Sequence, residues 1–220
     1  MHPARIAELL DPFLNPVNER KLTSTDIERI STYIDLLLRW NARVNLTAVR
    51  KPEDIVTRHF GESFFAARCL FPGSSSAAPL GKGVSAADIG SGAGFPGLPI
   101  KLWAPGISLT LVESNHKKAA FLREVMRALA LTDVEVRTAR AESLSSVRYQ
   151  LLTLRAVELF VSILPVAAGL VAPLGRLALL VGSAQLDQVR SALPEFVWQE
   201  PRAVPLSRSR ILAVGARVSG

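Results

Sequence analysis

Apolar residues fall into two patterns along the chain, a helical period first and short strand-like blocks afterwards. Ile27, Ile30, Ile34, Leu37 and Leu38 lie on one side of a 3.6-residue period, which predicts a helix ending near Trp40. Thr25 and Glu28 have the spacing of a capping box and would start it. A second helix is expected over Asp54–Leu70, just after Pro52. Between the two lies a polar, basic turn region, WNARVNLTAVRKPED. Residues 72–83, PGSSSAAPLGKG, read as a linker or surface loop.

Beyond the loop, strand and helix signals alternate. Strands are expected over Val84–Ile89, Leu109–Glu113, Val134–Arg140, Tyr149–Leu154 and Leu177–Val181. Helices are expected over Gly97–Trp103, Asn115–Leu131, Glu158–Val171 with a kink at Pro165, and Ser183–Leu193. Phe196–Val204 and Ile211–Val218 have no helix between them and suit an antiparallel hairpin at one edge. This alternation predicts an α/β fold with a doubly wound sheet. The expected organisation is a helical extension over 1–72, a linker over 73–83 and a sheet domain over 84–220.

Composition narrows the class. At 220 residues with 49% apolar and 20% charged content, the chain is globular rather than disordered. Its longest uncharged run, Leu159–Gly175, is short and broken by Pro165, Gly169 and Pro173, so it reads as a buried helix and not a membrane span. The first residues carry acids and no long apolar run, which argues against a signal peptide and for a cytoplasmic protein. A single cysteine, Cys69, and three scattered histidines leave no disulfide and no expected metal site. Net charge is +7, which points to a polyanionic partner. Residues 1–72 contribute ten basic and nine acidic residues, against sixteen and ten in 73–220. Within the first part, Arg39, Arg43, Arg50, Lys51 and Arg58 nevertheless cluster around Trp40 and Asn45.

The sharpest chemical signal is Asp88-Ile-Gly-Ser-Gly-Ala-Gly-Phe-Pro-Gly97. A strand ends, Gly90, Gly92 and Gly94 make a turn, and a helix opens near Pro96. Glycines there permit positive φ and close approach of a ligand to the backbone. Asp88 is expected to point into the crevice at the carboxyl edge of the sheet, where open α/β sheets bind ligands. Glu113, about twenty residues beyond the turn, has the spacing at which a carboxylate meets a ribose diol. Arg140-Ala141-Glu142, after the next strand, can offer backbone amides and a carboxylate to an adenine edge, or be a solvated loop. The glycine spacing departs from the dinucleotide fingerprint, and no phosphate-binding Gly-x-x-x-x-Gly-Lys-Ser/Thr loop is present.

These residues resemble those of the bacterial glucose-inhibited division protein B family, guanine-N7 methyltransferases of small-subunit ribosomal RNA. DIGSGAGFPGLPI resembles the family's first cofactor motif, and WNARVNLTAV (Trp40–Val49) its N-terminal signature. Arg58-His59 with Glu62-Ser63, LVES with KKAAFLREV, and Leu154-Arg155-Ala156 resemble further family motifs, in the same order over roughly Ile27–Val214. The resemblance implies a Rossmann-like S-adenosylmethionine-dependent methyltransferase, with the cofactor contacted at Gly90, Phe95, Ala141, Glu142 and Arg155 and its ribose held by Glu113. It also implies small-subunit ribosomal RNA, or the 30S particle, as partner; the chain itself is expected to be a monomer. Three positions depart from the family pattern. Glu62 stands for Asp, Gln150 for an Asp before the fourth strand, and Val181 for a Lys, which would remove a cation from the substrate side.

Guanine N7 carries a lone pair and no proton, so its methylation needs in-line positioning rather than a general base. The sequence has neither an Asn/Asp-Pro-Pro-Tyr/Phe tetrapeptide nor a Pro-Cys pair, the devices of exocyclic-amine and pyrimidine-C6 methylation. Arg155 is the candidate catalytic residue, anchoring the guanine O6 edge or a phosphate, or else ion-paired with Asp88 or Glu113. Asn45, Arg58, His59, Lys117 and Arg123 are the candidate RNA contacts, with Asn45 also expected to make turn hydrogen bonds. His59 otherwise reads as a packing histidine. A non-catalytic RNA-binding protein and a nicotinamide oxidoreductase remain as alternatives.

Overall fold

The computed structural model describes residues 1–14, 21–73, 81–144, 146–155 and 160–218. Strands β1 (Ser85–Ile89), β2 (Ser108–Val112), β3 (Val134–Arg137), β4 (Tyr149–Arg155) and β5 (Val171–Gly182) pair in parallel in the order 3-2-1-4-5. The sheet ends antiparallel. β6 (Phe196–Trp198) and β7 (Arg202–Ala203) both pair with β8 (Arg210–Arg217), which lies against β5. The single strand expected over Phe196–Val204 is thus two, with Pro201, which has no N–H for a ladder, between them.

The helices are α1 (Pro3–Leu14), α2 (Ser24–Asn41), α3 (Pro52–Ile55), α4 (Glu62–Leu70), α5 (Gly97–Trp103), α6 (His116–Ala128), α7 (Phe160–Leu170) and α8 (Leu186–Ala192). Within the helical extension expected over 1–72, α1 is a separate helix that buries Ile6, Leu10 and Phe13 at helical spacing. The cap of α2 is Thr23, not Thr25. The Thr23 hydroxyl accepts the Asp26 N–H at 3.1 Å, and the Asp26 carboxylate accepts the Thr23 N–H at 3.0 Å. Aspartate at the third position completes the reciprocal pair as glutamate would, and sets the start earlier. Residues 74–80 of the expected linker, and Ala156 and Glu158, lie outside the described residues.

Strand alternation decides which side chains meet which layer. Ala86 and Leu151 pack in one core with Ile30, Phe60, Leu98 and Phe121, so α2, the 52–70 segment, α5 and α6 cover that face. Ala87, Ile89, Leu152 and Leu154 pack on the other, with Leu164 and Val189 from α7 and α8. The two-residue period then puts Asp88, Thr153 and Arg155 on the first face, towards the N-terminal helices. Those helices share one continuous core with the sheet.

Between α3 and α4 the chain runs as a π-helical turn, Val56–Gly61. Such widened turns re-aim side chains. A Cβ on Gly61 would stand 2.5 Å from the Phe13 ring, so α1 packs directly on glycine here.

Candidate cofactor and RNA site

A cavity of about 580 Å³ opens beside the glycine turn. That size suits a nucleoside-scale ligand. One wall is Gly90–Ala93, Phe95 and Glu113–Asn115 with Lys118; the other is Leu46, Thr47, His59, Arg155 and Arg210. One side therefore comes from the glycine turn and the junction of β2 with α6, and the other from the N-terminal segment with the end of β4 and the start of β8.

Gly90, Gly92 and Gly94 all have positive φ, at +66°, +54° and +89°. Their surroundings differ. Gly92 borders open space, with only the Gly90 carbonyl 3.7 Å from where a Cβ would sit. At Gly94 a Cβ would stand 2.2 Å from the Tyr33 hydroxyl. Tyr33 donates to the Ala93 carbonyl at 2.5 Å and its ring lies parallel to that of Phe95, 5.4 Å away. Helix α2 thus clamps the turn from behind.

Glu113 sits just past β2 and is 7% exposed. Its carboxylate accepts the Gly92 N–H at 2.9 Å and the Asn115 N–H at 2.7 Å. Asn115 in turn caps α6, accepting the Lys117 and Lys118 N–H groups.

Asp88 is corrected by the structure. Its carboxylate does not face the crevice. It is fully buried beneath the turn, accepting the Thr153 hydroxyl at 2.7 Å and the Gly97 N–H at 3.2 Å. Burial pushes its pKa up to about 6, against the pull of these hydrogen bonds. A Cβ on Gly97 would stand 2.9 Å from this carboxylate, which explains glycine there.

Arg155 reaches the cavity wall, but its partners are neither Asp88 nor Glu113. It pairs with Glu62 at 3.0 Å and donates to the backbone carbonyls of Arg58 and His59. Alternation had aimed it at the helical face, where α4 places Glu62. Glu62 also accepts from Arg210 at 2.8 Å, so one buried carboxylate serves two guanidiniums. Burial lowers the Arg155 pKa to about 10, and the side chain stays charged. The family-pattern departure at Glu62 thus keeps a carboxylate in this network.

His59 stacks on Phe95 with centroids 4.9 Å apart. Its Nδ1 lies 3.3 Å from Arg155 Nη2 and its Nε2 lies 2.7 Å from Thr47 Oγ1. Burial, then the nearby arginines, hold its pKa down at about 3. His59 is neutral, in keeping with a packing histidine.

Several expected residues lie elsewhere. Asn45 is exposed and accepts from Arg50 Nη2 at 3.5 Å. The turn bonds expected of it are made by Asn41, which accepts the Leu46 and Thr47 N–H groups and donates to the Thr47 carbonyl. Ala141 and Glu142 begin a short 3₁₀ turn after β3, outside the cavity wall, with Ala141 buried and Glu142 exposed. Lys117 and Arg123 are exposed and outside it as well; Arg123 is tied to the Val136 carbonyl and the Thr138 hydroxyl. Arg58 is exposed and lines a neighbouring cleft. Gln150 accepts the Ser85 N–H at the opposite end of the sheet, and Val181 packs in the second core, so neither departure touches the cavity. Sequence reasoning missed Tyr33, Thr47 and Thr153. A tyrosine within an apolar helical stripe looks like core, and only the fold brings it to the turn.

Among the described residues no group of three His, Cys, Asp or Glu could hold a metal, and no helix is long and apolar enough to cross a membrane.

The sequence profile of the rRNA small subunit methyltransferase G family matches residues 26–208. Ribosomal RNA small subunit methyltransferase G of Halorhodospira halophila is 39% identical over 175 residues, covering 80% of this chain and 78% of that protein. The Roseiflexus sp. protein of the same name is 38% identical over 211 residues, covering 90% and 86%. Among solved structures, the ribosomal protein L11 methylase of Lactobacillus delbrueckii superposes with TM-score 0.57 at 14% identity, covering 73% of this chain and 79% of that one. A SAM-dependent methyltransferase of Aquifex aeolicus gives TM-score 0.52 at 14% identity, covering 62% and 84%. At such identities these two likenesses speak for the fold alone.

Proposed function

The chain belongs to the rRNA small subunit methyltransferase G family and is an S-adenosylmethionine-dependent methyltransferase of ribosomal RNA; on that premise we propose that it methylates N7 of a guanine in 16S rRNA, in the cavity between the glycine turn and His59. The observation that carries the cofactor assignment is the Glu113–Gly92 arrangement, in which a carboxylate at the cavity wall is fixed beside a turn whose backbone borders open space.

The residues present fit the cofactor. Gly90 and Gly92 leave room for it against bare backbone, Glu113 accepts its ribose hydroxyls, and Phe95 offers an apolar face. When bound, it supplies a sulfonium-activated methyl group. Ala141 and Glu142, in the 3₁₀ turn after β3 and outside the cavity wall, are assigned to the adenine end by the family resemblance alone. Arg155, held charged and rigid by Glu62 and two carbonyls, orients the guanine by its acceptor edge. Guanine N7 carries no proton to remove, and His59 is held neutral with both ring nitrogens engaged, so it positions and does not accept a proton. Arg58, Lys117 and Arg123 on the surface, and Lys118 half-buried in the cavity wall, serve as phosphate contacts.

The test is transfer of label from radiolabelled S-adenosylmethionine to small-subunit RNA lacking the modification. Labelled RNA is expected. Cofactor binding without transfer would favour the non-catalytic RNA-binding alternative, and binding of NAD in place of S-adenosylmethionine would overturn the assignment.

A further inference from the structure

Beside the cofactor cavity lies a second cleft of about 270 Å³, and Arg210 lines both. Its walls include Thr57 and Arg58 of the π-helical turn and Ser207 and Arg208 of the turn before β8. Three guanidiniums thus line one cleft, beside the Ser207 hydroxyl, which accepts the Arg210 N–H at 3.1 Å, and the Thr57 hydroxyl, which donates to the Glu53 carbonyl at 3.1 Å. The acid in this wall, Glu62, is buried and already shared by Arg155 and Arg210. Two cations on one anion leave the cleft positive. Arg58 and Arg208 are exposed, and among the described residues neither forms an ion pair. The Glu62 contact at 2.8 Å fixes Arg210 as a post between the two spaces.

Guanidinium forks are the donors that recognise a phosphate diester bidentately. A base that enters a recessed cavity must leave its stack, and the flanking backbone must then be held. Phosphate contacts position a strand without reading its sequence. We propose that this cleft is a phosphate subsite, holding a phosphodiester of the substrate RNA strand next to the target nucleotide through Arg58 and Arg208, with Arg210 as the wall common to phosphate and base. The subsite rests on the RNA-methyltransferase reading above.

The test compares Arg58→Ala, Arg208→Ala and the double variant with Arg190→Ala, an equal loss of charge on α8 away from both spaces. Methyl transfer is measured against RNA concentration at several salt concentrations, and S-adenosylmethionine affinity is measured separately. The expected result is a severalfold rise in KM for RNA at each cleft substitution and a salt slope lowered by about one unit per arginine removed. Cofactor affinity stays at the wild-type value, and Arg190→Ala changes neither quantity. Unchanged KM and slope in Arg208→Ala, or equal effects in Arg190→Ala, would overturn the subsite while leaving the enzyme assignment standing. A wild type that binds cofactor but methylates no ribosomal RNA would overturn both.

Discussion

Glu113 accepts the Gly92 N–H at 2.9 Å, so the carboxylate proposed to hold the cofactor's ribose also braces the glycine turn beside it. Replacing it with glutamine removes the charge and one of two acceptor oxygens. Charge-assisted hydrogen bonds contribute about 1.5–3 kcal/mol. Glu113→Gln should therefore weaken S-adenosylmethionine binding by roughly 10- to 100-fold. Calorimetric titration checks this, and wild-type affinity in the variant would remove Glu113 from the ribose site.

The glycines of the turn are not equivalent. Gly94→Ala sets a methyl group against the Tyr33 hydroxyl and Leu98, at 2.2 and 2.6 Å, in a chain segment at φ +89°. Gly92→Ala meets only the strain of its φ of +54°, which costs about 1–2 kcal/mol. Thermal melts should show Gly94→Ala clearly the less stable of the two. Equal melting temperatures would mean that α2 yields to the intrusion.

The Arg155–Glu62–Arg210 network is buried at its centre. Removing one partner of a buried pair leaves an uncompensated charge and costs about 3–5 kcal/mol. Glu62→Ala should lose stability on that scale in denaturant unfolding and lose methyl transfer, whereas Glu62→Asp should retain most of both. A stable, active Glu62→Ala protein would show that Arg155 finds other partners.

Asp88 gives a pH signature. Its folded pKa is raised to about 6 from an ordinary 3.8, so the folded state favours the protonated form. Its contribution is fully present below pH 3.8 and is lost as pH rises through about 6. A shift of about two units corresponds to about 3 kcal/mol. Relative to Asp88→Asn, wild-type stability should fall between pH 4 and 6. A constant difference across that window would contradict the buried, proton-favouring environment.

The alternation of strands and helices and the glycine turn were legible in the sequence because both are local. Gly97–Trp103 is a helix with the bounds read from the sequence, and Glu113 lies at the cavity as its spacing implied. What escaped depends on distant pairings. Alternation along β4 places Arg155 opposite Glu62, 93 residues away, and no local pattern couples those two. Asn41 and Asn45 both neighbour the same turn, and only the chain's path selects Asn41 as its brace. Asp88 ends a strand as a ligand-facing acid would, yet Gly97 and Thr153 draw its carboxylate under the turn.

The most direct test of the methyl-transfer assignment is the identity of the methylated nucleoside. Small ribosomal subunits from cells lacking this activity would be incubated with the protein and labelled S-adenosylmethionine, and their 16S rRNA digested and resolved by mass spectrometry. Label in N7-methylguanosine at a single position is the expected result. Label in an exocyclic-amine or ribose-methylated nucleoside, or none despite bound cofactor, would contradict a site that works by positioning alone.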